Sequence, residues 1–376
     1  MSDSNTNTSR AFAIAQFPAI YKQGPGALAA LPSLLENLHV AKALVLAGSN
    51  AWTAAGTALG SHPGLEHLAF NGECTSLEIE RATNAARAGG HGAVVGLGGG
   101  KVIDAARAAA HLAGDLLFIA APTIASTDAP TSATTVVYQV DGSFSHYLRS
   151  RNPAAVLVDT TIIARAPVRF LVAGMGDALS TWFEAESCRR SGAANVCGGT
   201  ATLAAGAIAR LCYDTILADG PHAIAACQAQ VVTPAFERVV EANTLLSGLG
   251  FESGGLASAH AVHNGLTRIA GCHGALHGEK VAFGVLVGLV LTGGSSAQIR
   301  EVLEFNRRIG LPLSLADLGC ANPTPAELQL AAEVACAPGE SIHNEAVLVN
   351  PARVMSAIIA ADRLGREFAA GKPGGC

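Results

Sequence analysis

The chain has 376 residues, half of them apolar, so it can bury a sizeable core and is long enough for two domains. Its 24 basic residues are outnumbered by 29 acidic ones and spread thinly, which leaves no basic stripe for a nucleic-acid backbone. Nine cysteines, odd in number and scattered without a C-x-x-C pair, argue against a disulfide framework or a thiolate zinc site and fit a reducing, cytoplasmic setting.

The opening MSDSNTNTSR is polar and lacks an apolar stretch behind a basic start, so residues 1–12 read as a disordered tail rather than a signal peptide. Strand-like and helical patterns then alternate: a strand over 43–47, a helix over 77–88, a strand over 93–96, a helix over 102–113 and a strand over 116–121. This βαβ rhythm predicts a parallel sheet in an α/β domain spanning 13–166. Beyond it, runs rich in Ala, Leu and Glu predict helices over 179–190, 201–217 and 231–249, hence a mostly helical second domain over 167–376. Pro167 fits the first turn of a helix at that boundary. The longest apolar run, VAFGVLVGLVLTGG (281–294), is shorter than the roughly 20 residues a membrane span needs and predicts a buried core helix and no membrane partner. The closing GKPGGC reads as a flexible tail.

GLGGGK (96–101) joins a predicted strand to a predicted helix. Glycines there let backbone N–H groups approach a phosphate, and the helix N-terminus adds partial positive charge, so Gly96 to Gly100, with Gly98, Gly99 and Gly100 as the contacts, form a candidate pyrophosphate cradle. The pattern matches neither Walker A nor G-x-G-x-x-G, and a tight turn without a ligand is the alternative. Asp104 is either a cofactor-binding residue or a favourable charge in the helix's first turn. After the third strand, FIAAPTIASTDAPTSATTVVY carries many hydroxyls and one carboxylate, Asp128. That suits hydrogen bonding to ribose, amide and polyol groups, the alternative being a turn held by its own side chains. In the second half GMGDALSTWFEAES, GLASAHAVHNGLT and GALHGEKVAFG supply Asp177, His260, His263 and His277, a ligand set suited to Zn²⁺ or Fe²⁺ with positions left open for substrate. His260 and His263, three apart, share a face of a helix. Each residue alone also has an ordinary explanation: Asp177 as a helix cap, a histidine as a hydrogen-bonded core residue.

In this order and at these separations, GLGGGK..D, APTIASTDAPTSA, GMGDALSTWFEA, GFESGGLASAHAVHNGLT and HGEKVAFG resemble the glycerol-specific branch of the metal-dependent, iron-containing alcohol dehydrogenase superfamily. The likeness runs from about residue 13 to about residue 367. It implies an N-terminal Rossmann-like domain followed by a helical domain, the two-domain plan also seen in dehydroquinate synthase. It further implies Zn²⁺, or Fe²⁺ or Mn²⁺ in its place, on Asp177, His260 and His277. By the same resemblance a nicotinamide cofactor is contacted through Gly100, Lys101, Thr123, Ser126, Ser132, Thr134 and Tyr138. Asp128 would meet a substrate hydroxyl, and the protein would be a homo-oligomer, often an octamer in the family.

The expected reaction is oxidation of glycerol, or a similar vicinal diol, to dihydroxyacetone or the matching hydroxyketone, with hydride passing to NAD or NADP. His263 is a candidate proton relay or a support for its neighbouring ligand. NAD-preferring relatives usually carry an Asp where Gly48 stands, in KALVLAGSNAW. Its absence removes the repulsion a carboxylate exerts on a 2′-phosphate, so NADP use or dual use is expected. The rival chemistry is a zinc- and NAD-dependent lyase of dehydroquinate synthase type. Its phosphorylated carboxylate substrate calls for several Lys and Arg, and only Lys280 and Arg268 sit near the metal motifs.

Overall fold

The computed structural model describes residues 12–59 and 62–371. The two terminal tails read from the sequence fall almost wholly outside these residues. A six-stranded parallel sheet has the order β1-β8-β5-β4-β2-β3. Its strands are β1 (Tyr21–Gly24), β2 (Ala43–Ala47), β3 (Leu65–Ala69), β4 (Ala93–Gly98), β5 (Leu117–Pro122) and β8 (Ala155–Asp159), while β6 (Thr134–Tyr138) and β7 (Phe144–Arg149) form a separate antiparallel hairpin. Between them run α1 (Leu31–Asn37), α2 (Ser49–Leu59), α3 (Ser76–Ala88), α4 (Gly100–Leu112) and α5 (Thr160–Ala164).

β2, β4 and β8 are buried along their whole length, which is why they read as continuous apolar runs. Their alternation still divides the core. Val45, Val95 and Leu157 face a cluster with Leu28 and Leu31, whereas Leu44, Val94 and Val156 face one that continues into the helical half. The second cluster therefore joins the sheet to the helices.

Those helices are α6 (Val168–Ser191), α7 (Leu203–Gln228), α8 (Pro234–Glu241), α9 (Ser247–Gly254), α10 (Ser258–Leu266), α11 (His277–Thr292), α12 (Ser296–Ile309), α13 (Pro325–Ala335) and α14 (Pro351–Ala369). α6 begins directly after Pro167, and α11 contains the apolar run of the sequence, short of its last two glycines, as a buried helix. Among the described residues no helix is long and apolar enough to cross a membrane. The helix expected over 231–249 is different in detail. It starts at Pro234, where the Thr233 hydroxyl accepts the Phe236 N–H, and it passes through a π-helical turn at Ala242–Leu246 before continuing as α9. That turn changes which face Ser247 presents.

Chain order along the sheet reverses between β2 and β4, and in open parallel sheets a crevice forms at such a point beyond the strands' carboxyl ends. Gly48 follows β2 and Gly99 follows β4, so both stand at its mouth. The segment after β5 is fixed there by one buried cation. Arg107 on α4 donates to Asp104 Oδ1 at 2.6 Å, to the Thr134 carbonyl at 2.5 Å and to the Ala129 carbonyl, while Asp104 Oδ2 accepts the Val136 N–H at 2.8 Å. Removing one partner of a buried ion pair strands the other charge, typically at about 3–5 kcal/mol. Arg107→Ala is therefore expected to lower unfolding free energy by about that amount in a denaturant titration. A loss under about 1 kcal/mol, the scale of an ordinary surface change, would remove the pair from this role.

Candidate active site

A cavity of about 280 Å³ opens between the carboxyl ends of the strands and the helices α6, α10 and α11. At its sheet end Gly98 holds φ +153°, a region only glycine enters readily, and the backbone turns from there into α4. A Cβ at Gly99 would come within 2.8 Å of Ile124 Cδ1, and one at Gly100 within 2.9 Å of Thr127 Oγ1. A side chain at either position would have to push Ile124 or Thr127 aside, so bare backbone lets the segment after β5 lie directly against the turn. The α4 N-terminus has no side-chain cap and faces the cavity, leaving its first N–H groups free for an anion.

At the other end three ligand atoms converge. One atom each from Asp177, His260 and His277 lie within 4.8 Å of one another. Asp177 sits in the middle of α6, not at a cap, and is fully buried. His260 is in the first turn of α10, and His277 opens α11. Glycines bring the helices close enough: a Cβ on Gly176 or Gly278 would collide with the backbone of the facing helix, Gly278 O and Ala173 O respectively. The glycines flanking the ligands in sequence thus set the helix spacing.

Outer partners orient each imidazole. Asn264 Nδ2 donates to Glu340 Oε2 and to the Tyr147 hydroxyl, both at 3.0 Å, so its Oδ1 accepts the His263 Nδ1–H at 3.1 Å. His263 Nε2 then accepts the His277 Nδ1–H at 3.0 Å, leaving the His277 Nε2 lone pair 3.2 Å from Asp177 Oδ1. His260 Nδ1 lies 2.6 Å from Glu184 Oε2, and its Nε2 is 3.5 Å from the same Asp177 oxygen. Asp177 Oδ1 is buried and receives no hydrogen bond. Two lone pairs and an anionic oxygen facing one point repel one another unless a cation or protons lie between them. The donor set, an oxygen and two nitrogens with supported rings, fits a divalent metal such as zinc.

The remaining charges follow from burial. Burial raises Asp177's carboxyl, but where protons rather than a metal lie between the three groups, donation and positive charge from the facing His277 and His260 rings outweigh it and hold the carboxyl below the usual carboxylate range. Burial, with the neighbouring Asp177 charge, raises Asp128 well above that range. Burial, together with His277 and Lys280, keeps His263 well below an ordinary histidine, so it is neutral and able to accept.

Asp128 is tied directly to the ligand cluster. Its backbone N–H donates to Asp177 Oδ2 at 3.2 Å, and its own Oδ2 accepts from Ser247 Oγ at 2.7 Å. Gly99, Gly100, Lys101, Asp104, Ser126, Ser132, Thr134, Tyr138 and His263 also line the cavity, whereas Gly48, Gly98 and Thr123 do not. Thr134 Oγ1 is buried without a partner. Asp104, by contrast, has both oxygens engaged by Arg107 and Val136 N, and Ser132 Oγ closes a local turn with Thr134. Sequence reasoning did not find Glu184, Ser247, Asn264 or Glu340. Only Glu184 left a signal, being seven residues and so two helical turns after Asp177.

The model of the iron-containing alcohol dehydrogenase family matches residues 18–160. A glycerol dehydrogenase of Pseudomonas putida is 53% identical over 305 residues, covering 81% of this chain and 83% of that protein. One from Citrobacter freundii is 48% identical over 363 residues, covering 95% and 99%. The crystal structure of a probable glycerol dehydrogenase from Sinorhizobium meliloti superposes with a TM-score of 0.91 at 44% identity, covering 95% of this chain and all of that one.

Asp177→Ala deletes the shared oxygen between the two imidazoles and is expected to abolish retention of a divalent metal, measured by elemental analysis after dialysis. A metal-replete Asp177→Ala protein would overturn the ligand set.

Proposed function

The chain belongs to the iron-containing alcohol dehydrogenase family, in its glycerol dehydrogenase branch, and from that premise we propose that it oxidises glycerol or a similar vicinal diol to the hydroxyketone, reducing a nicotinamide cofactor. The observation that best supports this reading is the Asp128 N–H donating to Asp177 Oδ2, which ties a second carboxylate to the ligand cluster on the wall of the cavity that His260 and His277 also line. A divalent cation on Asp177, His260 and His277 supplies Lewis acidity towards a hydroxyl oxygen, and the nicotinamide supplies the acceptor for hydride.

The chain's own residues do the rest. The α4 N-terminus with Gly99 and Gly100 offers backbone N–H groups to the pyrophosphate, and Thr134 Oγ1 offers an unspent hydroxyl to the cofactor. Asp128, held by Ser247, accepts a hydrogen bond from the neighbouring hydroxyl of the diol. A site built to meet a hydroxyl discriminates against substrates that lack one. Of the two roles open to His263, its acceptor bond from His277 favours orientation of that ring over proton relay.

Charge speaks against the lyase alternative. The cavity lining contains Lys101 and no arginine, and Lys101 Nζ is paired with Glu73 Oε2 at 2.5 Å. A phosphorylated carboxylate would find few partners there.

At the adenosine end, a Cβ on Gly48 would meet nothing within 4 Å, so the position is open space where a carboxylate would otherwise stand. NADP is therefore accepted alongside NAD in this reading.

The test follows nicotinamide reduction with NAD⁺ and NADP⁺ on glycerol, propane-1,2-diol and a simple secondary alcohol, before and after chelation and zinc add-back. Zinc-restored turnover confined to the diols is expected, and silence with every alcohol would overturn the assignment. Gly48→Asp, which the open space accommodates, is expected to raise the NAD⁺ to NADP⁺ ratio of kcat/KM. An unchanged ratio would show that this position does not set cofactor choice.

A further inference from the structure

Glu184 is a fully enclosed carboxylate on α6, two turns beyond Asp177 and on the same face. Among the described residues it is the one group that touches both the backbone and the ring of a candidate ligand. Its Oε1 accepts the N–H groups of Ala257 at 2.9 Å and of His260 at 3.0 Å, two of the donors that the start of α10 leaves without helical partners. Its Oε2 lies 2.6 Å from His260 Nδ1. A second buried carboxylate, Glu345, caps the same helix start by accepting the Ser258 N–H at 3.1 Å, while the His260 ring nitrogen on that side is taken by Glu184.

We propose that Glu184 is a positioning residue for the metal site: by accepting the Nδ1–H of His260 it fixes the tautomer whose Nε2 lone pair faces Asp177, while its other oxygen locks the helix that carries the ring. This rests on the reading of Asp177, His260 and His277 as metal ligands. A histidine ligand commonly donates its distal N–H to a carboxylate, which sets tautomer and orientation and raises the basicity of the ligating nitrogen. Here one helix supplies both a ligand and the carboxylate that aims the next ligand, so rotation or sliding of α6 moves the two together.

An isosteric change separates positioning from packing. In Glu184→Gln the amide oxygen keeps the two backbone N–H groups, because turning the amide round would set its NH₂ against both donors. The NH₂ then faces His260 Nδ1 as a donor, and the imidazole must accept there, which moves its proton to Nε2 and aims an N–H at the metal position. Glu345→Gln disturbs the capping of the same helix without changing what the ring meets.

The experiment measures Zn²⁺ affinity of the full-length protein against a competing chelator for wild type, Glu184→Gln and Glu345→Gln. Nitrogen-15 histidine spectra of the metal-free proteins, recorded at a pH where the ring is neutral, read the His260 tautomer, and thermal unfolding monitors the fold. The expected result is a roughly 10- to 100-fold loss of Zn²⁺ affinity in Glu184→Gln, with the His260 proton moved to Nε2, and an unaltered affinity in Glu345→Gln. Equal behaviour of the two variants, or an unchanged tautomer in Glu184→Gln, overturns the proposal and leaves Glu184 as a helix cap. Failure of the wild-type protein to bind Zn²⁺ removes the ligand assignment itself and this inference with it.

Discussion

A carboxylate with no exposure to water organises both halves of this molecule. Asp177 spends Oδ2 on the backbone of Asp128, in the segment that follows β5, and presents Oδ1 to two imidazoles from helices packed against its own. Burying an unpaired carboxylate is costly enough that neither set of partners can drift away without penalty. The same residue therefore sets the position of the loop from the sheet and the spacing of the helices, and the cavity between them is what remains.

Around that point the segment over 125–136 is pinned from several sides. Arg107 holds two of its carbonyls from α4, Asn243 Nδ2 donates to Ala125 O, and Thr131 Oγ1 donates to Thr244 O. The last two anchors belong to the π-helical turn, whose irregular ladder leaves backbone carbonyls available. Immediately after it comes Ser247, whose hydroxyl reaches Asp128. An insertion in a helix thus has a local use: it presents one hydroxyl to the carboxylate and offers a carbonyl to the loop that carries it.

The sequence made three of the central strands, β2, β4 and β5, legible because they are apolar runs near glycines, but not the equally buried β8, which no glycine bounds, and it made the ligand cluster legible because each of its residues stands in a glycine-flanked motif. The edge strands β1 and β3 were not, since four or five half-exposed residues give no clear alternation. The π-turn was not, because ANTLL carries neither proline nor glycine to mark it. Asp104 shows the limit for sites. Its position after the glycine turn suggests a cofactor contact, while its two oxygens are occupied by Arg107 and Val136 N, a partnership set by tertiary approach and invisible to spacing. Glu184 was visible in principle as an acid on Asp177's own helix face, but an i,i+7 acid is commonplace until the histidine from another helix is seen beside it.

The two ends of the cavity rest on different kinds of contact. The end beside the sheet consists of backbone N–H groups at the uncapped N-terminus of α4, which a side-chain substitution cannot remove directly. The other end consists of side chains that run from Asp177, held by the backbone N–H of Asp128, to His277, His263, Asn264 and Glu340, and through His260 to Glu184. A change to any member alters the hydrogen-bond role of the next. Gly48 belongs to neither: it stands beside β2 in open space, outside the cavity lining and outside this network. A side chain introduced at that position would therefore leave the hydrogen bonds of the Asp177 cluster undisturbed.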